Sequence, residues 1–215
     1  MSTNLDTLAP IPRRIVADAL RIAHVPWESG WTHGSIGDSA GRDEPRFREL
    51  LPRGAKWDLA RPFAVKRDGT KFATVGVSTC GLIAVGILCR AGVPLSWMSD
   101  QYWRWQDPQL PDRGAYRGLD VVSCLSLLGA RLGARRAAGV YPEPGDIVCI
   151  GNGLATHVLT VVSGDGHYVW SVDGGQVDQA NGYLQCVKLL RRDWRGLRVQ
   201  WALDSSELAR RLAQE

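Results

Sequence analysis

The sequence has 215 residues, of which 45% are hydrophobic and 22% charged, and its formal net charge is +4. This length suits one sizeable domain, and the composition is that of a globular protein without repeats or low-complexity segments. The positive excess is too small to favour nucleic-acid binding, so we expect no nucleic-acid partner. It is compatible with an anionic partner such as a cell wall.

The N-terminal residues lack the pattern of an export signal. Residues 1–8 are polar and acidic, without the basic and apolar regions of a signal peptide. No apolar run reaches the length of a membrane span, so we expect no membrane partner. We therefore expect a chain made in a reducing cytoplasm and, if exported, carried by a dedicated secretion system or released by lysis.

The cysteines are odd in number and widely spaced, at Cys80, Cys89, Cys124, Cys149 and Cys186. This pattern favours free thiols in a reducing compartment. No Cys-x-x-Cys or His-x-x-x-His spacing occurs. The sequence therefore predicts no metal site and no cofactor.

Residues 1–44 are predicted to be a helix followed by a long loop. The helix begins at Pro10 and continues to about His24, with one apolar side, and Pro26 ends it. Residues 27–43 are rich in Gly, Ser, Asp and Trp, which is typical of a loop. The main domain is predicted over 45–203, and 204–215 form a capped C-terminal helix.

The main domain is predicted to begin with a hairpin and a buried helix. Residues 63–77 suggest a hairpin that turns at Asp68-Gly69, since this pair supplies the positive φ of tight turns. A Ser-Thr pair at 78–79 can cap the helix, and the residues from Leu82 to Cys89 have no polar face. A helix that is apolar all round is buried on all sides, and Gly92 ends this one.

Cys80 falls in the first turn of that helix. Unpaired backbone N–H groups and the positive end of the helix dipole favour an anion there, so the position favours a thiolate. This makes Cys80 a candidate nucleophile, although a cysteine in an apolar stretch is more often inert core filling.

Residues 95–118 are aromatic, polar and interrupted by proline, which predicts a loop or short helix. Tryptophans in such sequence often line a binding cleft, so we predict Trp103 and Trp105 as substrate-binding residues in one cleft wall. Packing over the core edge is the commoner role of such tryptophans. A helix is then predicted from Asp120 to Ala138, with leucines at helical spacing and Gly139 as its cap.

The remaining sequence changes to a strand pattern. Three short β-branched or apolar runs at 145–150, 157–162 and 168–172 are separated by glycine-rich turns. Further strands are predicted at 184–190 and 197–203. Helices first and a meandering antiparallel sheet second give a predicted fold class of α+β.

A thiolate nucleophile needs a base and a third group that orients the base. His157 opens an apolar strand directly after a glycine-rich loop, and Asp173 closes the next strand. Antiparallel pairing returns the end of that strand to the start of the first. Taken singly, His157 is as well explained as a rim histidine and Asp173 as a turn-former. The ordered set of nucleophile, base and orienter favours catalysis.

Three segments resemble the papain-like NlpC/P60 and CHAP superfamily of cysteine peptidases and amidases. They are Thr-Cys-Gly-Leu-Ile at 79–83, Gly-Asp-Ile-Val at 145–148 and His-Val at 157–158. The Arg-Arg-Asp-Trp run at 191–194 is similar to the arginine-rich final strand of phage-type members. The resemblance covers roughly residues 45–203. It implies a papain-like fold, in which a buried nucleophile helix packs on an antiparallel sheet.

Carried over to this sequence, the resemblance implies Cys80 as nucleophile, His157 as base and Asp173 as the third triad member. Thr79 replaces the aspartate common before the cysteine, and Asp173 stands where members more often have Glu, Asn or His. The implied function is a thiol-dependent amide hydrolase, namely a peptidoglycan endopeptidase or amidase. Such a protein would act on a peptidoglycan peptide or another amide substrate, as a phage-type lysin or a secreted effector with an immunity protein.

Two other functions remain open on the residues alone. One is a catalytically idle papain-like binding module that uses the Trp-rich loop as its recognition surface. The other is a toxin that deamidates or cleaves host proteins with the same triad. Selective alkylation of Cys80 distinguishes an enzyme from the binding module.

Overall fold

The structure of the protein is a computed structural model that describes residues 4–24, 63–65, 71–73, 79–94, 96–97, 120–137, 139–151, 156–178 and 183–215. The helices whose bounds it gives are α1 (Pro10–His24), α2 (Thr79–Ala91), α3 (Asp120–Leu132) and α4 (Ser205–Leu212). The strands are β1 (Phe63–Val65), β2 (Lys71–Ala73), β3 (Ile147–Gly151), β4 (Thr156–Gly164), β5 (Tyr168–Asp178), β6 (Tyr183–Asp193) and β7 (Val199–Leu203).

The β-branched and apolar runs of the C-terminal half form one antiparallel sheet. Its strand order is β6-β5-β4-β3-β7, so consecutive strands pair from β3 to β6 and β7 joins the other side of β3. The short strands β1 and β2 form a separate antiparallel pair, with Val65 opposite Lys71. The predicted α+β class with a meandering antiparallel sheet is confirmed. The turn predicted at Asp68-Gly69 lies outside the described residues.

Helix α2 is enclosed on all sides, as its lack of a polar face predicts. Residues 83–88 are all buried, and six consecutive residues point in every direction around a helix axis. The helix ends in a Schellman motif, in which Gly92 has a φ of 106° and its N–H donates to the Cys89 carbonyl at 3.0 Å. The Val93 N–H donates to the Leu88 carbonyl at 3.0 Å.

The hydrophobic core lies between the helices and the sheet, and it fixes the position of α2. Helix α2 packs against α1, β4 and β5. The core joins side chains of all these elements, among them Ile15, Ile22, Ile87, Leu88, Val158 and Val172. An ion pair also links α2 to α1, since Arg90 Nε donates to Asp18 Oδ2 at 2.8 Å. Helix α2 is therefore held between α1 and the sheet.

Helix α3 ends at Leu132, so the prediction that it continues to Ala138 is wrong. Gly133 adopts a φ of 63° and ends the helix before the arginines that follow it. Arg135 forms a β-bridge to β7, and the Arg136 N–H donates to a β7 carbonyl at 3.0 Å. These arginines therefore attach the chain to the sheet.

The C-terminal helix α4 begins where the sequence predicts. Asp204 is its N-cap, and its carboxylate accepts from the N–H groups of Ser206 and Glu207 at 3.0 and 3.1 Å. The Glu207 carboxylate pairs with Arg210 at 2.7 Å and with Arg211 at 2.9 Å, so it acts within the helix. The cap is thus supplied by Asp204.

A buried carboxylate ties the start of the sheet to α4. Asp146 precedes β3 and is fully buried. Its Oδ1 accepts from the backbone N–H and the hydroxyl of Ser205 at 3.0 and 3.2 Å. Its Oδ2 accepts from Arg136 Nε at 2.6 Å and from the Glu143 N–H at 2.9 Å. Each oxygen therefore has two donors, which compensates for the burial of the charge.

Candidate active site

Cys80 is the second residue of α2, and its half-buried side chain lies against the hydrophobic core. It is a free thiol. The backbone N–H groups of a first helical turn have no partner within the helix, and they carry a partial positive charge. These N–H groups can therefore donate hydrogen bonds to an oxygen on an atom bound to the sulfur.

His157 lies in β4 and contacts Asp173 of the neighbouring strand. The imidazole Nε2 and the Asp173 Oδ2 are 2.8 Å apart. The strand register accounts for the contact: Val172 is opposite Thr160, so Asp173 lies one residue beyond that pair and His157 three residues beyond it. Both offsets are odd, which places the two side chains on one face of the sheet as diagonal neighbours.

The imidazole of His157 also forms a side-chain hydrogen bond with Cys80. Because Asp173 engages Nε2, the nitrogen available to the sulfur is Nδ1. Burial is the largest single influence and lowers the pKa of His157. The hydrogen bonds to Asp173 and Cys80, with the charges on both, outweigh it and raise that pKa from 6.5 to about 9. The site therefore favours an imidazolium beside the sulfur at neutral pH.

Two other described cysteines occupy a different environment. Burial raises the pKa of Cys89 to about 11, although Arg90 opposes it. Burial, with the neighbouring Cys80 as a smaller contribution, raises the pKa of Cys149 to about 12. Both thiols are therefore protonated at neutral pH, which makes them weak nucleophiles.

A fourth residue, Arg192 of β6, contacts the same carboxylate. Its Nη2 donates to Asp173 Oδ2, the oxygen that also binds His157. Asp173 Oδ1 and Arg192 Nε are both buried and have no hydrogen-bond partner among the described residues. Arg192 is not among the site residues that the sequence predicts. The arginine-rich run at 191–194 was the available signal, but which of its arginines faces Asp173 depends on the register of β5 and β6.

The structure brings together Cys80, His157 and Asp173, whereas Trp103 and Trp105 lie outside the described residues. Trp97, at the start of the same aromatic segment, is half-buried and packs against the hydrophobic core. Its carbonyl accepts from Arg131 Nη2 at 2.6 Å. Trp97 therefore contributes to packing, and the predicted cleft wall at Trp103 and Trp105 stays a prediction.

The described residues contain no group of three or more His, Cys, Asp or Glu side chains arranged to hold a metal ion. None of their helices combines the length and the apolar character needed to cross a membrane.

Comparison of the chain with protein-family models, with curated proteins and with solved structures found no match. The function is therefore inferred from the geometry of the site and from the resemblance in its motifs.

Proposed function

We propose that the protein is a thiol-dependent amide hydrolase in which Cys80, His157 and Asp173 form a catalytic triad on a papain-like fold. The observation that supports this most strongly is the continuous hydrogen-bonded chain from a helix-terminal sulfur, through an imidazole, to a buried carboxylate. Nucleophile, base and orienting group are the three roles that covalent acyl transfer requires.

Acylation begins from the thiolate and imidazolium. The Cys80 sulfur attacks the carbonyl carbon of the amide, and the carbonyl oxygen takes up the negative charge. Backbone N–H groups in the first turn of α2 stabilise that oxyanion. His157 then donates its proton to the amide nitrogen, so that the C–N bond breaks and the amine leaves while the acyl group remains on the sulfur as a thioester.

Deacylation uses the same groups in reverse order. Neutral His157 accepts a proton from a water molecule, and the resulting hydroxide attacks the thioester carbon. The C–S bond breaks, the acid product leaves, and the thiolate and imidazolium are restored. Asp173 holds the ring orientation through both steps and stabilises the imidazolium.

The substrate class rests on the resemblance of the cysteine and histidine segments. Members of the superfamily act on peptidoglycan, so we propose a stem-peptide or amide bond of peptidoglycan as the substrate. The net charge of +4 agrees with an anionic polymer as the target.

The proposal is tested by digesting purified muropeptides and identifying the products by mass spectrometry. The wild-type protein should release peptide or amide-cleavage products, and Cys80→Ala should release none. Cys89→Ala is the matched control, since it removes a half-buried thiol from the same helix. Products from Cys80→Ala would contradict the assigned nucleophile. Intact muropeptides after treatment with the wild-type protein would contradict peptidoglycan as the substrate.

A further inference from the structure

We propose that Arg192 is a positioning residue of the triad, which holds the Asp173 carboxylate in place and competes with His157 for one of its oxygens. The catalytic consequence rests on the proposed function. The effect on His157 does not, because it follows from the contacts alone.

The strand register shows how far Arg192 extends to make this contact. Arg192 is opposite Val169, and Asp173 is opposite Lys188. The two residues are thus four positions apart along the strands, roughly 13 Å between backbones. The arginine side chain must therefore lie along the sheet, past Ser171, to reach the carboxylate. Although β6 is at an edge of the sheet, only 22% of the Arg192 side chain is exposed.

The carboxylate is shared between two cationic groups. His157 from β4 and Arg192 from β6 both bind Oδ2, while Oδ1 is buried and receives no donor from the described part of the chain. Among the described residues, the other charged or titratable groups that face this region are Lys188, opposite Asp173 in β6, and Cys80, which also contacts His157. The positive guanidinium therefore weakens the electrostatic stabilisation that Asp173 gives to the imidazolium of His157.

Removing the guanidinium has two separable effects. The carboxylate loses the donor that fixes its rotamer, which lowers the fraction of correctly oriented imidazole and hence kcat/KM, by about tenfold. The carboxylate charge also acts more strongly on His157, which favours the imidazolium, so His157 releases its proton at higher pH. Asp173→Asn has the opposite effect on that proton, because it removes the negative charge.

The experiment follows the imidazole of His157 by NMR as a function of pH. The variants are Arg192→Gln, which is neutral and too short for the contact, and Arg192→Lys, which keeps the charge. Arg191→Gln is the matched control, because Arg191 is exposed and lies over the Tyr168 ring with its Cζ 3.6 Å from the ring centroid. Arg192→Met, which keeps the apolar part of the arginine side chain, is titrated in parallel. It provides a second neutral variant in case Arg192→Gln does not fold.

The titration midpoint of His157 should rise by about one pH unit in Arg192→Gln and Arg192→Met. It should stay near the wild-type value in Arg192→Lys and Arg191→Gln. An unchanged or lowered midpoint in the folded neutral variants would overturn the proposal. The titration needs no substrate. A protein that cleaves no amide but shows the shift would contradict the proposed function and still support the role of Arg192. A protein that cleaves the amide but shows no shift would support the proposed function and contradict the role of Arg192.

Discussion

Two buried aspartates, Asp146 and Asp173, differ in how their carboxylates are satisfied. Both are fully buried and both bind an arginine side chain. Asp146 has two donors on each oxygen, and its other partners are a hydroxyl and backbone N–H groups. Asp173 has both donors on one oxygen, and one of them is a histidine.

The difference separates a structural carboxylate from the one that we propose to be catalytic. None of the donors to Asp146 changes its charge near neutral pH, so that group joins β3 to α4 permanently. The imidazole at Asp173 does titrate, and its second nitrogen faces a thiol. Burial and an arginine partner are therefore shared by both sites, and the titratable donor distinguishes them.

The largest effect on stability is expected from Asp146→Asn. The NH2 group of the new amide would face groups that donate hydrogen bonds to the aspartate, so it could not accept from them. Arg136 would also lose its buried counter-charge. Removing one partner of a buried pair costs about 3–5 kcal/mol of unfolding free energy. Urea denaturation measures this loss. Activity per folded molecule should be retained, because Asp146 lies at the other end of the β3–β4 ladder from His157.

Glu143→Gln is the control for that variant. Its carboxylate lies 3.5 Å from the same Arg136 but its side chain is 61% exposed. The unfolding transition should stay close to that of the wild type. Equal destabilisation by both variants would contradict a special role for the buried Asp146.

Asp173→Asn should differ from Asp146→Asn in its clear effect on rate, beside the loss of stability expected when Arg192 loses its buried counter-charge. We expect kcat/KM to fall about tenfold to a hundredfold, because an amide still orients the ring but no longer stabilises its charge. The alkaline limb of the pH profile, which His157 sets with its pKa of about 9, should move to lower pH. A limb that does not move would place Asp173 outside the site.

A smaller effect is expected on the pH dependence of stability. The folded-state pKa of His157 is raised from 6.5 to about 9, so its contribution is fully present below pH 6.5 and is lost as the pH rises through 9. Its size should be on the order of 1 kcal/mol, less than the full linkage value because 23% of the side chain is exposed. The unfolding free energies of the wild type and His157→Gln at pH 6 and pH 10 measure it. Parallel losses in both proteins would contradict the raised pKa.

The sequence was sufficient to predict the elements whose signals are local. The apolar run from Leu82 to Cys89 and the glycine at 92 define α2, because burial on all sides and a positive φ leave direct marks in composition. The β-branched runs predicted the strands that carry His157 and Asp173, but the prediction that Asp173 closes its strand is wrong, because β5 continues through Gly174 and Gly175 to Asp178. Diagonal contact between the two residues then requires only antiparallel pairing.

Contacts that depend on register or on distant segments were not predictable in this way. The predicted end of α3 was wrong because a glycine such as Gly133 can lie within a helix or end it. The contact between Arg136 and Asp146, which draws the chain away from the helix, is not visible in the sequence. Arg192 was missed because its contact with Asp173 spans two strands and four positions of register. Pairwise tertiary contacts of this kind leave no periodic pattern in the sequence.

The proposed reactive pair of Cys80 and His157 is tested most directly by alkylation with iodoacetamide. Peptide mass spectrometry then gives the rate at each cysteine at neutral pH. Cys80 should be alkylated stoichiometrically and far faster than Cys89 and Cys149, whose pKa values are raised to about 11 and about 12. His157→Ala should slow the reaction at Cys80 by about a hundredfold or more. A Cys80 that reacts no faster than Cys89, or at the same rate without His157, would contradict the catalytic pair.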